Sequence, residues 1–467
     1  MTERSRRFAS VLLLAAALLP GSWPRPVQAA EPVSPATCQD EGAVPIPAAD
    51  GAVAGAARVA TPVLSRLVRE AVARSAEVAG QIGSSRAYRQ DQRQAEAGSA
   101  PQLGLSGSAV WGRSRNDLYG GSDASQAGLG LTLSAPLYDG GRVRAEAGYY
   151  QGLAEAGELG VVAVREQVAL ETLLGAIERR RQQRLLAVWD RQVARMQCLV
   201  HQIGQIVELD RGRGSERVQA GKSLRQAELS RAETGAQLRQ SEVRLQRLAG
   251  VPPAQADLPD MLPDDLPDDA LPLEALAETP ELRQLQRQAE ALDRYVQALQ
   301  AAQAPQLRWQ VGATQARQPG LGSANWNAGV VLNMTLADGG AAVAGVQAAV
   351  ERAEATRRQR EARLEDRTRQ LLALQETAQA AQARRDRLDA LLIDSDQLRR
   401  ATFEQWARLG RRSLFDLISA ETEHYQLQLG RVQAEHELLA ARLQMRALSP
   451  GLLPWLAPEL VPAMPVR

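Results

Sequence analysis

Two hydrophobic periodicities alternate along the chain. Over 101–111, Leu103, Leu105, Ala109 and Trp111 share one parity while Gln102, Ser106 and Ser108 share the other. Over 126–138, Ala127, Leu129, Leu131, Leu133 and Ala135 alternate with Gly128, Gly130, Thr132 and Ser134. A period of two predicts strands with one apolar and one polar face, about 101–115 and about 126–138. The alternation returns in Leu307, Trp309, Val311 and Ala313, and again in Ala328, Val330, Leu332, Met334 and Leu336. These predict strands over about 305–317 and about 326–337. The stretches between, 112–125 and 318–324, are rich in Gly, Ser, Asn and Asp and read as exposed loops.

After each strand pair the period lengthens. Leu170, Leu173, Leu174, Ile177, Leu185, Val188, Val193, Met196, Leu199, Ile203 and Ile206 recur at three- and four-residue steps. That spacing predicts a helix packed against other helices in a coiled-coil manner. Helices are expected over about 141–207 and about 340–408, each roughly 100 Å long at 1.5 Å per residue. No compact soluble domain needs a helix of that length. Returning helices follow over about 215–249 and 413–447, and helices over about 62–98 and 274–303 precede the strand pairs.

The chain therefore reads as one pattern used twice, over 62–250 and 274–447. "APQL" at 100–103 recurs at 304–307, and Asp139-Gly140-Gly141 recurs as Asp338-Gly339-Gly340, 199 residues on. Ala154-Glu155-Ala156 keeps that offset with Ala353-Glu354-Ala355. Ordered matches inside the same succession of elements point to an internal duplication. Each Asp-Gly-Gly stands where a strand gives way to a helix. Glycine permits the bend, and Asp139 or Asp338 can cap the amides of the helix start. A Pro- and Asp-rich connector, 251–273, joins the copies, and the tail 448–467 has no role assigned by pattern.

Composition narrows the function. Residues 1–29 carry Arg4, Arg6 and Arg7, an apolar run from Val11 to Leu19 and a small-residue cleavage pattern, the form of a secretory signal. An Ala-, Pro- and Gly-rich leader, 30–61, follows. The formal charge of +1 becomes about −2 once that signal is removed, a balance that argues against nucleic acid. No later run is long and apolar enough for a spanning helix, so a membrane crossing would need a barrel. Cys38 and Cys198 are expected as free thiols. His201, His424 and His436 are isolated on helical segments, without the spacing of a metal site. The chain holds no P-loop, dinucleotide turn or nucleophile elbow, so neither catalysis nor a cofactor is expected.

"LSAPLYDGGRVRAEAG" (133–148), "GVVLNMTLADGGAAVAG" (329–345) and "RLGRRSLFDLISAETEHY" (408–425) resemble the TolC family of outer-membrane channel proteins. The resemblance implies a mostly α fold with a membrane β-barrel, built from a duplicated unit of two strands and a long helical hairpin. It implies a homotrimer whose subunits each give four strands to one twelve-strand barrel, continuing as an α-helical tunnel into the periplasm. Simple physics agrees: four strands cannot close around water, and open strand edges cannot face lipid.

The family's constriction residues are implied at Arg412, the gating arginine, and at Asp416, the first of two ring aspartates. The second ring position falls on Ser419, and in the other copy the acidic position falls near Arg217; both depart from the pattern. Arg211, Arg213 and Gly214 in one turn, and Leu409, Gly410 and Arg411 in the other, resemble tips that dock a periplasmic adaptor. Implied partners are that adaptor, an inner-membrane ABC transporter, outer-membrane lipid and an exported protein cargo. Type I secretion of an adenylate cyclase or RTX type toxin is the favoured expectation, with drug or metal efflux as its alternative. A periplasmic coiled-coil scaffold without a pore is the expectation from a different class.

Overall fold

A computed structural model of the chain describes residues 53–116, 120–250, 273–318, 321–407 and 411–461. Its elements belong to one compact unit, Pro45–Arg467. In order they are α1 (Val53–Arg74), α2 (Ala76–Ala97), β1 (Gln102–Asn116), β2 (Gly120–Tyr138), α3 (Arg142–Leu209) and α4 (Gly214–Ala249). Then follow α5 (Pro280–Ala301), β3 (Gln306–Gln318), β4 (Leu321–Asn333), α6 (Ala341–Ala407), α7 (Leu414–Leu448) and the single turn α8 (Leu453–Leu456). The fold is mostly helical with a small antiparallel sheet.

The four strands pair in sequence order, β1-β2-β3-β4. Their register carries the alternating pattern across the whole sheet. Leu103 lies opposite Leu133, which lies opposite Val311, which lies opposite Ala328. One row on, Leu105, Leu131, Ala313 and Trp326 align in the same way. The alternate rows hold Gly104, Thr132, Gly312 and Asn327, then Ser106, Gly130, Thr314 and Asn325. Through these rows one face is apolar and the other small or polar, because residues directly opposite each other in an antiparallel ladder point to the same face; Val110 and Val331 are apolar exceptions on the second face. The apolar face is bare: Leu105, Leu129, Trp111 and Trp326 are exposed.

The helices follow the same order. Beside the sheet, α2 packs on α3, α3 on α5 and α5 on α6. Farther away, α4 packs on α3, α3 on α7 and α7 on α6. α3 is the shared member of both rows. It runs 68 residues without proline, so nothing interrupts its backbone ladder.

Three apolar cores hold the rows. The first gathers Leu64, Leu67 and Val68 of α1, Leu173 and Ile177 of α3, Leu245 of α4 and, from the chain end, Leu452, Leu453 and Leu456. Burying each such side chain stabilises the fold by about 1.5–3 kcal/mol. The tail, to which pattern gave no role, is therefore core. Glu166 of α3 accepts hydrogen bonds from the Leu452 and Leu453 amides at 2.8 and 3.0 Å. Arg165 donates to the Leu460 carbonyl. The second core lies at the far end of the long helices, and the third joins Leu276 to Leu371 of α6 and Leu438 and Met445 of α7.

Several expectations need correction. The helix expected over 62–98 is two helices, because Ser75 adopts an extended backbone and its hydroxyl caps the Val78 amide at 3.2 Å. The loops expected over 112–125 and 318–324 are largely ladder, since β1 and β2 pair as far as Asn116↔Gly120 and β3 and β4 as far as Gln318↔Leu321. β4 ends at Asn333, leaving Met334 and Leu336 outside the sheet: the partner strand begins at Gln306, opposite Asn333. Cys198 is disulfide-bonded, not free. Cys38, the expected signal over 1–29 and most of the connector lie outside the described residues. Among the described residues no helix is long and apolar enough to cross a membrane.

Candidate functional site

The two Asp-Gly-Gly segments have the same geometry. Gly140 and Gly141 take φ of 65° and 84°; Gly339 and Gly340 take 68° and 88°. Only glycine adopts two such left-handed residues in succession without strain. Asp139 accepts the Gly141 amide through Oδ1 at 2.9 Å and the Val143 amide through Oδ2 at 2.8 Å. Asp338 does the same with Gly340 at 2.9 Å and Ala342 at 2.6 Å. Those amide bonds, Ala342 first and Gly340 second, hold the Asp338 carboxyl below the usual range. Each aspartate so satisfies amides left free at a helix start. The joints differ in their surroundings. A Cβ on Gly140 would come within 2.9 Å of the Ala304 Cβ and 3.1 Å of the Ala301 carbonyl, whereas one on Gly339 would meet open space.

At the other end of α3 and α6, two turns emerge from one plug. Met196, Leu199, Ile203 and Ala220 pack with Trp406, Leu414, Leu417 and Ile418, bringing the first repeat's turn beside the second's. In the first turn Asp210 Oδ1 accepts the Gly212 amide at 2.9 Å, and Arg213 makes a forked pair with Glu216 at 3.0 and 2.8 Å. Gly214 opens α4. Arg211 and Arg217 point to solvent. In the second turn the Ser413 hydroxyl accepts the Asp416 amide at 3.1 Å, while Asp416 Oδ2 accepts the Ser413 amide at 3.2 Å, a capping box. Arg412 donates through Nε to Gln405 at 3.2 Å, and Arg411 and Ser419 are exposed. Asp416 therefore faces Ser413 and Arg412 faces Gln405. Leu409 and Gly410 lie outside the described residues.

One cluster escaped the sequence reading. Glu421 of α7 is wholly buried, 0% exposed, and its Oε1 receives Arg195 of α3 at 2.7 Å. Its Oε2 lies 3.7 Å from Arg399 of α6, which pairs with Asp396 at 2.7 Å. Burial alone would raise the Asp396 carboxyl, but Arg399 and Arg400 hold it below its ordinary value. His424 links Ser395 and Gln428 beside them, at 3.3 and 2.8 Å. The signal was present in the sequence: Leu414, Leu417, Ile418, Glu421 and Tyr425 follow one helical stripe, so Glu421 occupies an apolar position. Farther along the same α3–α7 contact, Arg181 reaches Gln433 at 2.6 Å and His436 lies 3.4 Å from Glu178. Burial lowers the His436 pKa, opposed by Glu178 and aided by Arg181.

No family model matches the sequence, and no curated protein matches it. Solved structures do. The chain superposes on CusC, described in terms of folding and transmembrane channel formation, with TM-score 0.74 at 16% identity over 83% of this chain and 92% of that one. It superposes on the outer-membrane channel OprN with TM-score 0.73 at 20% identity over 85% and 91%. For the outer membrane protein VceC of Vibrio cholerae the values are 0.70, 17%, 83% and 96%. The chain has the TolC-type fold of these outer-membrane channel proteins.

Proposed function

We propose that the chain is one subunit of a homotrimeric outer-membrane channel. In this reading three copies contribute four strands each to a twelve-strand barrel, and the long helices form a tunnel extending into the periplasm. The protein is a passive conduit without a catalytic cycle, engaged by a periplasmic adaptor and an inner-membrane ABC transporter. Its cargo is a protein toxin of the adenylate cyclase or RTX type, exported by type I secretion; drug or metal efflux is the alternative.

The observation that carries the reading is the sheet. A register that collects Leu103, Leu133, Val311 and Ala328 on one bare face suits contact with lipid, and the small polar residues opposite suit a water-filled lumen. β1 and β4 each have an unpaired edge, and lipid tolerates none. Further copies of the chain supply the missing pairing. At the far end Asp416, Arg412, Ser419 and Arg217 are the proposed constriction, with three-fold copies of Asp416 as its charged ring.

Planar-bilayer recording tests this. The purified protein should conduct as a discrete channel, and Asp416→Ala should raise conductance or change block by divalent cations. A protein that purifies without detergent and conducts nothing would favour the pore-free scaffold. An unchanged record for Asp416→Ala would remove the ring alone. Neighbouring genes for an ABC transporter and a repeat-rich toxin would support secretion over efflux.

A further inference from the structure

The small and polar face of the sheet is almost free of charge. Among the described side chains of that face, through all four strands, the one charged residue is Arg308 of β3. Its row partners are Pro136 and Val331. One row to either side, the same face brings Gln306, Gln310, Ser134, Gly329 and Asn333, all neutral. Cross-strand neighbours stand about 4.5–5.5 Å apart and diagonal ones about 7–8 Å, so no carboxylate of the sheet stands beside Arg308. The joint carboxylates Asp139 and Asp338 are turned onto the amides of their own helix starts. Arg308 is exposed and makes no ion pair among the described residues. Leu307 and Trp309, on either side of it in sequence, lie on the apolar face. β3 begins at Gln306, so Arg308 sits at the end of the sheet that joins the helices. The first repeat has Gly104 at the matching place after its own "APQL", so the charge belongs to the second repeat alone.

We propose, building on the channel reading, that one Arg308 from each copy forms a cationic ring at the base of the barrel lumen, and that this ring binds multivalent oxyanions. The face that carries Arg308 is the lumen face in that reading, where side chains tune selectivity, and arginine rings line pores that pass anions. The walls around the ring are neutral, so its charge is not paired off within each subunit and adds up across the copies. A guanidinium fork takes carboxylate and phosphate alike. The occupant is therefore an acidic peptide segment or a phosphorylated solute in transit. Lipid headgroup phosphates are disfavoured, because the strand's period of two turns Arg308 away from the face that carries Leu307 and Trp309.

The test records current through the full-length protein in planar bilayers, its subunit number measured first. The probes are a hexaglutamate peptide, myo-inositol hexakisphosphate and a neutral hexaglutamine peptide, each added on the side to which the sheet opens. At least one of the two anions should block the current in 0.1 M salt, and hexaglutamine should not. Block by the peptide assigns an acidic segment as occupant, and block by the phosphate alone assigns a phosphorylated solute. Arg308→Gln should raise the half-blocking concentration at least tenfold, and Arg308→Glu should remove block, both at unaltered subunit number. Block should also weaken by 1 M salt, as the screening length falls from about 10 Å to about 3 Å. Current indifferent to both anions, equal block by hexaglutamine, or undiminished block in Arg308→Gln would overturn the proposal. A trimer that conducts without anion block fails this inference alone. A protein that neither assembles nor conducts fails the channel reading, and the ring with it.

Discussion

α3 and α6 occupy equivalent places in the two repeats and are nearly equal in length, 68 and 67 residues. Their surroundings are opposite. α3 is packed by α2, α5, α4, α7 and α1, and it buries Leu173, Met196, Leu199 and Ile203 completely or nearly so. α6 ends the helix row and leaves Leu372, Leu391, Ile393 and Leu398 exposed. At the other end of the row, α4 leaves Val218, Leu229 and Val243 exposed. The sheet has the same asymmetry, with β2 and β3 paired on both sides and β1 and β4 on one. Of two helices at matching places in the sequence pattern, one is thus a centre and the other an edge. Unlike edges on opposite flanks are what a head-to-tail ring of identical subunits requires.

The sharpest way to break this contrast is at the buried seam. Glu421→Ala would remove the buried carboxylate shared by Arg195 and Arg399, leaving Arg399 its pair with Asp396, and should cost about 3 kcal/mol in denaturant unfolding of the detergent-solubilised protein. Arg358→Ala, at the exposed Arg358–Glu361 pair on α6, should leave the unfolding midpoint almost unmoved. Equal losses would mean that the buried seam carries no more of the stability than the exposed face of α6.

The joints give a smaller and differential effect. Gly140→Ala and Gly339→Ala both force alanine into the left-handed region, about 1–2 kcal/mol each. Gly140→Ala adds a clash with Ala304 and Ala301, so its melting temperature should fall further. Indistinguishable melts would show that the first joint is no tighter than the second.

The smallest expected effect is a pH dependence at the α3–α7 seam. Burial depresses the His436 pKa in the fold below its ordinary value of 6.5. The unfolded chain then binds the extra proton first, so the stability contributed by neutral His436 is present above that value. It is lost as pH falls from there through the depressed pKa. Glu178, Arg181 and Glu437 face the ring and set how far the loss is offset. His436→Gln should flatten this part of the wild-type stability profile between pH 7 and pH 5. An unaltered slope would remove His436 from the seam's energetics.

Much of this was legible in the residues. Strict alternation marked all four strands, and the twin Asp-Gly-Gly segments marked both joints, because glycine and a capping carboxylate leave a local signature. What escaped depends on local backbone conformation or on distant partners. Ser75 breaks a helix through its own backbone conformation, although the apolar period runs through it unchanged. The tail's Leu452, Leu453 and Leu456 look like an unstructured end until α1 and α3 are placed around them. Asp416 reads from its motif as a pore residue, and its carboxylate also caps its own helix. Glu421 could have been found, because it interrupts an apolar stripe, but only the fold supplies Arg195 and Arg399.

The proposed channel requires that this chain complete its sheet and its helix row with further copies of itself. Native mass spectrometry of the detergent-solubilised protein measures that directly. A particle of three chains, losing subunits only together with its ability to conduct, is the predicted result. A single-chain particle that is stable, folded and indifferent to detergent removal would contradict it.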